Sequence, residues 1–164
     1  MAGPSTANML KVTFELDAND WHGIPAETLW AERVEDRSPP QVILMNSPFH
    51  AQGVSFLDTV FVKMEKVEGG ARFLFAGVAA RGGHSTYFVL TPMECPEFEK
   101  YWSRLEALGC SYESGDGHTS YGHKMIYSID VPPETDIHAV HAVLEAGERD
   151  EVWMFQEANM EHLP

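Results

Sequence analysis

HSTYFVLTPMECPEFEKYWSRLEALGCSYE, residues 84–113, changes its hydrophobic period partway along. His84 to Leu90 is an apolar run of strand length. From Pro96 the spacing shifts: Phe98, Tyr101, Trp102, Leu105 and Leu108 fall at i, i+3, i+4, i+7 and i+10, one stripe at period 3.6. That spacing predicts a helix over 96–108, with Pro96 in its first turn and Gly109 just past its end. A short strand, Cys110 to Glu113, follows. Working outward, Ser114 to Gly122 reads as a Gly-rich loop and His123 to Asp130 as a strand with Met125, Tyr127 and Ile129 on one face. Pro132-Pro133 ends it. Thr135 to Ala146 reads as a second helix presenting Ile137, Val140, Val143 and Leu144, stopped by Gly147, and Val152 to Gln156 as the last strand. The order β-α-β-β-α-β is the split-βαβ, ferredoxin-like plan.

The residues before this stretch are strand-like. Lys11 to Leu16 alternates, with Val12, Phe14 and Leu16 on one face; Thr28–Val34, Gln41–Met45, Ser55–Met64 and Arg72–Ala79 follow, separated by turn residues. Short strands at this spacing indicate a small β-barrel. The expected architecture is α+β: a frayed N-terminus over 1–10, a β-barrel-like module over 11–80, a ferredoxin-like module over 81–158 and a tail over 159–164.

Charge narrows the function. The 164 residues carry 11 Lys+Arg against 25 Asp+Glu, a formal net charge of −14. Nucleic-acid binding rests on clustered cations, so it is excluded as an expectation, as is an anionic membrane surface. No apolar run approaches the roughly 20 residues of a bilayer span, and residues 1–8 lack the basic and apolar regions of a signal peptide. Cys95 and Cys110 flank the first helix, which separates them by on the order of 20 Å, beyond the roughly 7 Å that a disulfide spans. Two reduced thiols are expected, consistent with a cytoplasmic location.

The chain also carries a set of short words: Asp20-Trp21-His22-Gly23, Glu27-Thr28-Leu29-Trp30-Ala31-Glu32, Asn46-Ser47-Pro48-Phe49, Gly53-Val54-Ser55, Asp58-x-Val60, Arg81-Gly82-Gly83-His84-Ser85-Thr86-Tyr87, Leu108-Gly109-Cys110-x-Tyr112-Glu113 and Ile129-Asp130-Val131-Pro132-Pro133. Together they resemble a bacterial family catalogued as a domain of unknown function. The resemblance spans about residues 11 to 157 and implies a complete protein; it implies no activity.

Three segments are candidate sites. In Arg81-Gly82-Gly83-His84-Ser85, the glycines can turn successive N–H groups onto an anion, Arg81 can fork onto a carboxylate or phosphate, and His84 can move a proton near neutral pH. The competing reading is an inter-module turn in which Arg81 meets an internal carboxylate such as Glu113 or Asp130. Asn46 and Phe49, beside His50, can wall a pocket, or can simply form a turn that plugs the barrel. Trp21, with His22, Glu27 and Trp30, can cradle a cation; otherwise Trp30 packs in the barrel and Glu27 is solvated.

No cofactor or metal is expected. His138 and His141 lack the further ligands zinc requires, and His118 and His123 are similarly unmatched. Cys110 sits at the negative end of a helix, and no Gly-x-Ser-x-Gly elbow occurs. Three functions are expected in order: a non-catalytic protein whose acidic surface neutralises or regulates a basic protein partner, as an immunity or antitoxin-like factor would; a sensor holding a small anionic ligand between the modules near Arg81 and His84; and an enzyme using His84 as acid or base. The sequence leaves the oligomeric state open.

Overall fold

The computed structural model describes residues 8–163. Among the described residues, nine strands and two helices run β1 (Met9–Glu15), β2 (Ala26–Val34), β3 (Gln41–Leu44), β4 (Thr59–Val67), β5 (Gly70–Ala80), β6 (Ser85–Pro92), α1 (Phe98–Ala107), β7 (Ser111–Thr119), β8 (Gly122–Val131), α2 (Ile137–Arg149) and β9 (Met154–Asn159). The fold is mixed α and β, with two sheets.

β1 to β5 pair in sequence order, each with the next in antiparallel register. β5 also meets β1, in parallel, through Val12↔Phe73 and Thr13↔Leu74, so the ladder returns to its first strand. Alternation drives one set of side chains inward. Val12, Phe14, Leu29, Ala31, Val42, Leu44, Val60 and Val62 form a single core.

β6 to β9 form a four-stranded sheet in the order β7-β8-β6-β9. One face takes the helices: Tyr87, Val89, Ile129 and Val131 pack with Trp102, Leu105, Val140 and Leu144. The opposite face takes the connection between β3 and β4. Ser55 and Thr86 share a 2.7 Å hydrogen bond, and Ser128 donates to the Pro48 carbonyl at 2.5 Å. β6 is covered on both sides, which is why every residue from Ser85 to Thr91 is buried.

Several expectations are corrected. Residues 1–7 of the expected frayed end lie outside the described residues, but Met9 and Leu10 belong to β1. Ser114–Gly122 is not a loop: Ser111 to Thr119 forms one long strand paired with β8 through to Thr119↔Gly122. Cross-strand pairing overrides the weak strand preference of its glycines. Gly147 does not stop α2. It is buried in the helix because a Cβ there would come 2.4 Å from the Trp153 ring. Trp153 Nε1 donates to the Leu144 carbonyl at 2.9 Å, fixing the indole in that gap. Asp136 caps the start of α2, its carboxylate accepting from the N–H groups of His138 and Ala139. Trp30 does not enter the core. It is 46% exposed on the outer face, beneath Lys11 Nζ at 5.0 Å.

Candidate functional site

The seam between the two sheets gathers the candidate residues other than Trp30, which lies on the outer face, and divides them among three places. At the Arg81 end the chain supplies its own anions. Gly82 N–H donates to Asp58 Oδ1 at 2.9 Å, and Gly83 N–H donates to Glu161 Oε1 at 2.8 Å. Arg81 Nη1 donates to Asp58 Oδ2 at 3.1 Å, to the Gly53 carbonyl at 2.8 Å, and to Glu161 Oε2 at 3.4 Å. The two glycines thus present N–H groups to anions, as their sequence suggests, and the anions are internal. The partners are Asp58 and Glu161, not Glu113 or Asp130. Gly82 is also required sterically, because a Cβ there would fall 2.6 Å from the Leu57 carbonyl oxygen.

Asp58 is fully buried and accepts a further bond from Ser55 N–H at 2.9 Å. Two carboxylates share one guanidinium, so one negative charge is in excess. Burial first, and the neighbouring Asp58 second, raise Glu161 to about 7. Asn159 Nδ2 bridges Glu161 Oε2 and Ser55 Oγ. Ser85 Oγ accepts from the N–H of Glu161 at 2.8 Å and lies 2.6 Å from His162 Nδ1. His162 Nε2 meets the Pro132 carbonyl at 2.8 Å, an acceptor, so Nε2 carries the proton and Ser85 O–H donates to Nδ1. Residues 159–162, expected as part of a tail, therefore stitch the seam.

His84 faces away from this network. Its Nδ1 lies 2.9 and 3.1 Å from the two oxygens of Asp130, and Phe56 stands edge-on to its ring. A carboxylate accepts, so Nδ1–H donates and Nε2 is left as the basic nitrogen. Burial pushes the Asp130 carboxyl up, against the pull of His84. Asp130 lines a cleft of about 220 Å³ between the sheets, with Asn46, Ser47, Phe56, Ser111, Glu113 and Ser128. Asn46 is itself held, its Oδ1 accepting from Trp30 N–H at 2.9 Å.

Phe49 and Trp21 lie in the third place, around His50. Glu27 is not solvated: it accepts from the N–H groups of Phe49, His50 and Ala51 at 2.5 to 2.9 Å, closing the 49–51 turn. His22 is buried, and its Nδ1 accepts from Ile24 N–H at 2.9 Å. The Trp21 ring sits 6.0 Å from His50 and 6.2 Å from Phe88. Burial, with His22 nearby, lowers the His50 pKa despite Glu27.

Sequence reasoning missed Glu161, Asn159, His162 and Gln156, and singled out Asp58 only within a word. A local signal existed for Asp58: Ser55-x-x-Asp58 closes on itself, Ser55 N–H donating to the carboxylate and Asp58 N–H to the Ser55 carbonyl. Away from the seam, a cavity of about 750 Å³ opens at the β2–β3 end of the first sheet. Its rim carries Arg33 and Arg37 but also Glu35 and Asp36, so it presents no net charge of one sign. Cys95 and Cys110 are free, and burial pushes the Cys110 thiol up to about 12, far from a reactive thiolate. Among the described residues no group of three or more metal-ligating side chains is clustered, and no helix is long and apolar enough to cross a membrane.

The model of a family described as a domain of unknown function (DUF4265) matches residues 27–155. The chain belongs to that family. A search of curated proteins finds no match. Among solved structures, the chain is similar to one titled "Novel crystal structure of a hypothetical protein from Neisseria gonorrhoeae", at a TM-score of 0.71 and 16% identity, covering 93% of this chain and 96% of that one. At that identity the likeness is one of fold.

Proposed function

We propose that this DUF4265 protein is a non-catalytic interaction protein whose helical face takes a basic protein partner. The observation that carries this reading is the distribution of charge. Glu94, Glu97, Glu99 and Glu106, on and before α1, are exposed. So are Glu145, Glu148, Asp150 and Glu151, on and after α2. The cations on these elements are Lys100, Arg104 and Arg149, and both Lys100 and Arg104 lie over the Tyr101 ring. A field of one sign over a helical layer accelerates encounter with an opposite charge. The internal neutralisation of Arg81 adds support, since it removes the main anion-binding candidate.

The finer fold labels belong to the same reading. The strand order β7-β8-β6-β9 around two helices supports a ferredoxin-like unit, and the return of β5 to β1 supports a small barrel. The free cysteines support a cytoplasmic setting.

The test is photo-crosslinking in the native cell, with a crosslinker at Glu148 and, as control, at Glu15 on the opposite sheet. Capture of one basic protein from Glu148 alone is expected. Glu94→Lys combined with Glu97→Lys, or added salt, should abolish it. Equal capture from both positions, or capture indifferent to charge reversal, overturns the reading.

A second reading rests on the cleft at Asp130. A histidine held by a carboxylate beside a polar cavity of about 220 Å³ is an arrangement for binding a small polar ligand, or for acid–base work on one. Glu113 and Asp130 line it, so it favours a ligand rich in hydrogen-bond donors. Tris, an amine bearing three hydroxyls, is a suitable probe. A saturable shift of the His84 ring resonances, lost in Asp130→Asn, is expected, and a linear drift overturns it.

A further inference from the structure

The inner face of the first sheet continues past its own core. On β4, Val60 and Val62 face inward and are buried, and Met64 is next on the same row. On β5, Phe75 pairs with Val62, and Phe73 pairs with Met64. On β1, Leu10 precedes the buried Val12 and Phe14 on the inward row. β3 stops pairing with β4 at Gln41↔Phe61, whereas β4 and β5 run on together as far as Val67↔Gly70. Met64 is therefore 59% exposed although it stands on the core-facing row. Leu10, Met64 and Phe73 line the cavity of about 750 Å³ at this end, over the buried Val42 and Val62. That volume falls in the range of small-molecule pockets, about 300–1,000 Å³.

Of the charged residues lining the cavity, only Arg33 stands on a strand. On β2, Leu29 and Ala31 face the core and Arg33 follows them on the same row, paired with Val42. Arg33 is exposed, so its guanidinium is open to a ligand. Arg72 lies beside Glu65, and Arg81 beside Asp58 and Glu161, but among the described residues Arg33 and Arg37 form no ion pair. A guanidinium over an apolar basin suits a carboxylate, which it can hold through two parallel N–H bonds. Glu35, Asp36 and Arg37 lie in the turn beyond β2 and leave that turn net negative, which opposes a second anionic group.

We propose that this cavity binds an amphipathic monocarboxylate, with the carboxylate on Arg33 and the alkyl chain against Leu10, Met64 and Phe73. This site is independent of the acidic helical face and of the Asp130 cleft.

The experiment follows the methionine methyl signals of the full chain, ¹³C-labelled at those methyls. Octanoate is titrated below its micelle concentration, with octanol and suberate in parallel. Octanol lacks the charge, and suberate adds a second carboxylate to the same chain. The Met64 signal is assigned by its loss in Met64→Leu. A saturable shift of the Met64 methyl is expected with octanoate, with octanol and suberate at least about tenfold weaker. Arg33→Gln should weaken octanoate at least about tenfold, leave octanol unchanged and keep the melting temperature. A linear, unsaturable drift overturns the proposal, as does octanol or suberate matching octanoate. Octanoate binding indifferent to Arg33→Gln also overturns it, and would leave Arg33 as a charge that only guards an open sheet face.

Discussion

The two ends of the seam use similar residue types and reach opposite results. At the Arg81 end, Asp58, Glu161, Asn159, Ser55, Ser85 and His162 bond to one another or to nearby backbone, so few polar atoms there lack a partner. At the Trp21 end, an indole, an imidazole and an amide each keep a nitrogen free. The difference lies in what the chain delivers to each place. Residues 159–162 bring acceptors to the first end, and no partner reaches the orphaned nitrogens of the second. A saturated network stabilises an interface, whereas buried nitrogens left without a partner weaken it.

This contrast is sharpest at Asp58. Asp58→Ala strands Arg81 and the N–H groups of Ser55 and Gly82 at once, and should cost about 3–5 kcal/mol, measured by urea unfolding. A loss below about 1 kcal/mol would mean that the network is decoration. Arg81→Ala removes a half-exposed partner and should cost about 1–3 kcal/mol; an unchanged midpoint, with loss of a binding function, would return Arg81 to the list of ligand residues.

Glu161 tests the same end through pH. Its folded pKa is raised to about 7 from an ordinary 4.5, so between those values the folded state holds a proton that the unfolded chain has released. Stability contributed by this group is therefore present below about 4.5 and falls as pH rises toward about 7. Glu161→Gln should flatten that decline in melting temperature; parallel profiles for the two proteins would refute the shared-charge account. The smallest effect is expected at the other end. Gln156→Met removes a donor that has no partner, and should change stability by less than about 1 kcal/mol. A larger loss would show that Gln156 is already satisfied, and the contrast between the ends would collapse.

The element order was legible because period and punctuation are local. Phe98, Tyr101, Trp102 and Leu105 give α1 its buried stripe, and Trp102 and Leu105 are 5% and 0% exposed. What was not legible depends on distant partners. Gly147 reads as a helix stop until Trp153 is seen filling the space beside it. Ser114–Gly122 reads as a loop until β8 pairs with it. Trp30 reads as core because of its size, but register turns it outward, since Leu29 and Ala31 take the inner positions. The partners of Arg81 lie 23 and 80 residues away in sequence, and no spacing rule connects them. Gly82 and Gly83 turn their N–H groups onto carboxylates, and nothing in the Gly-Gly pair says which side chains supply them.

Gly82 carries one more consequence. Its missing Cβ lets the link between the two sheets lie directly on the Leu57 carbonyl, and both adjacent N–H groups are pinned to carboxylates from opposite sides. A Gly-Gly link written in sequence suggests a swivel, but this one is locked at both residues. The two sheets should therefore tumble as one body in solution. Residual dipolar couplings from β1–β5 and from β6–β9 should fit a single alignment tensor, and relaxation of both should give one rotational correlation time.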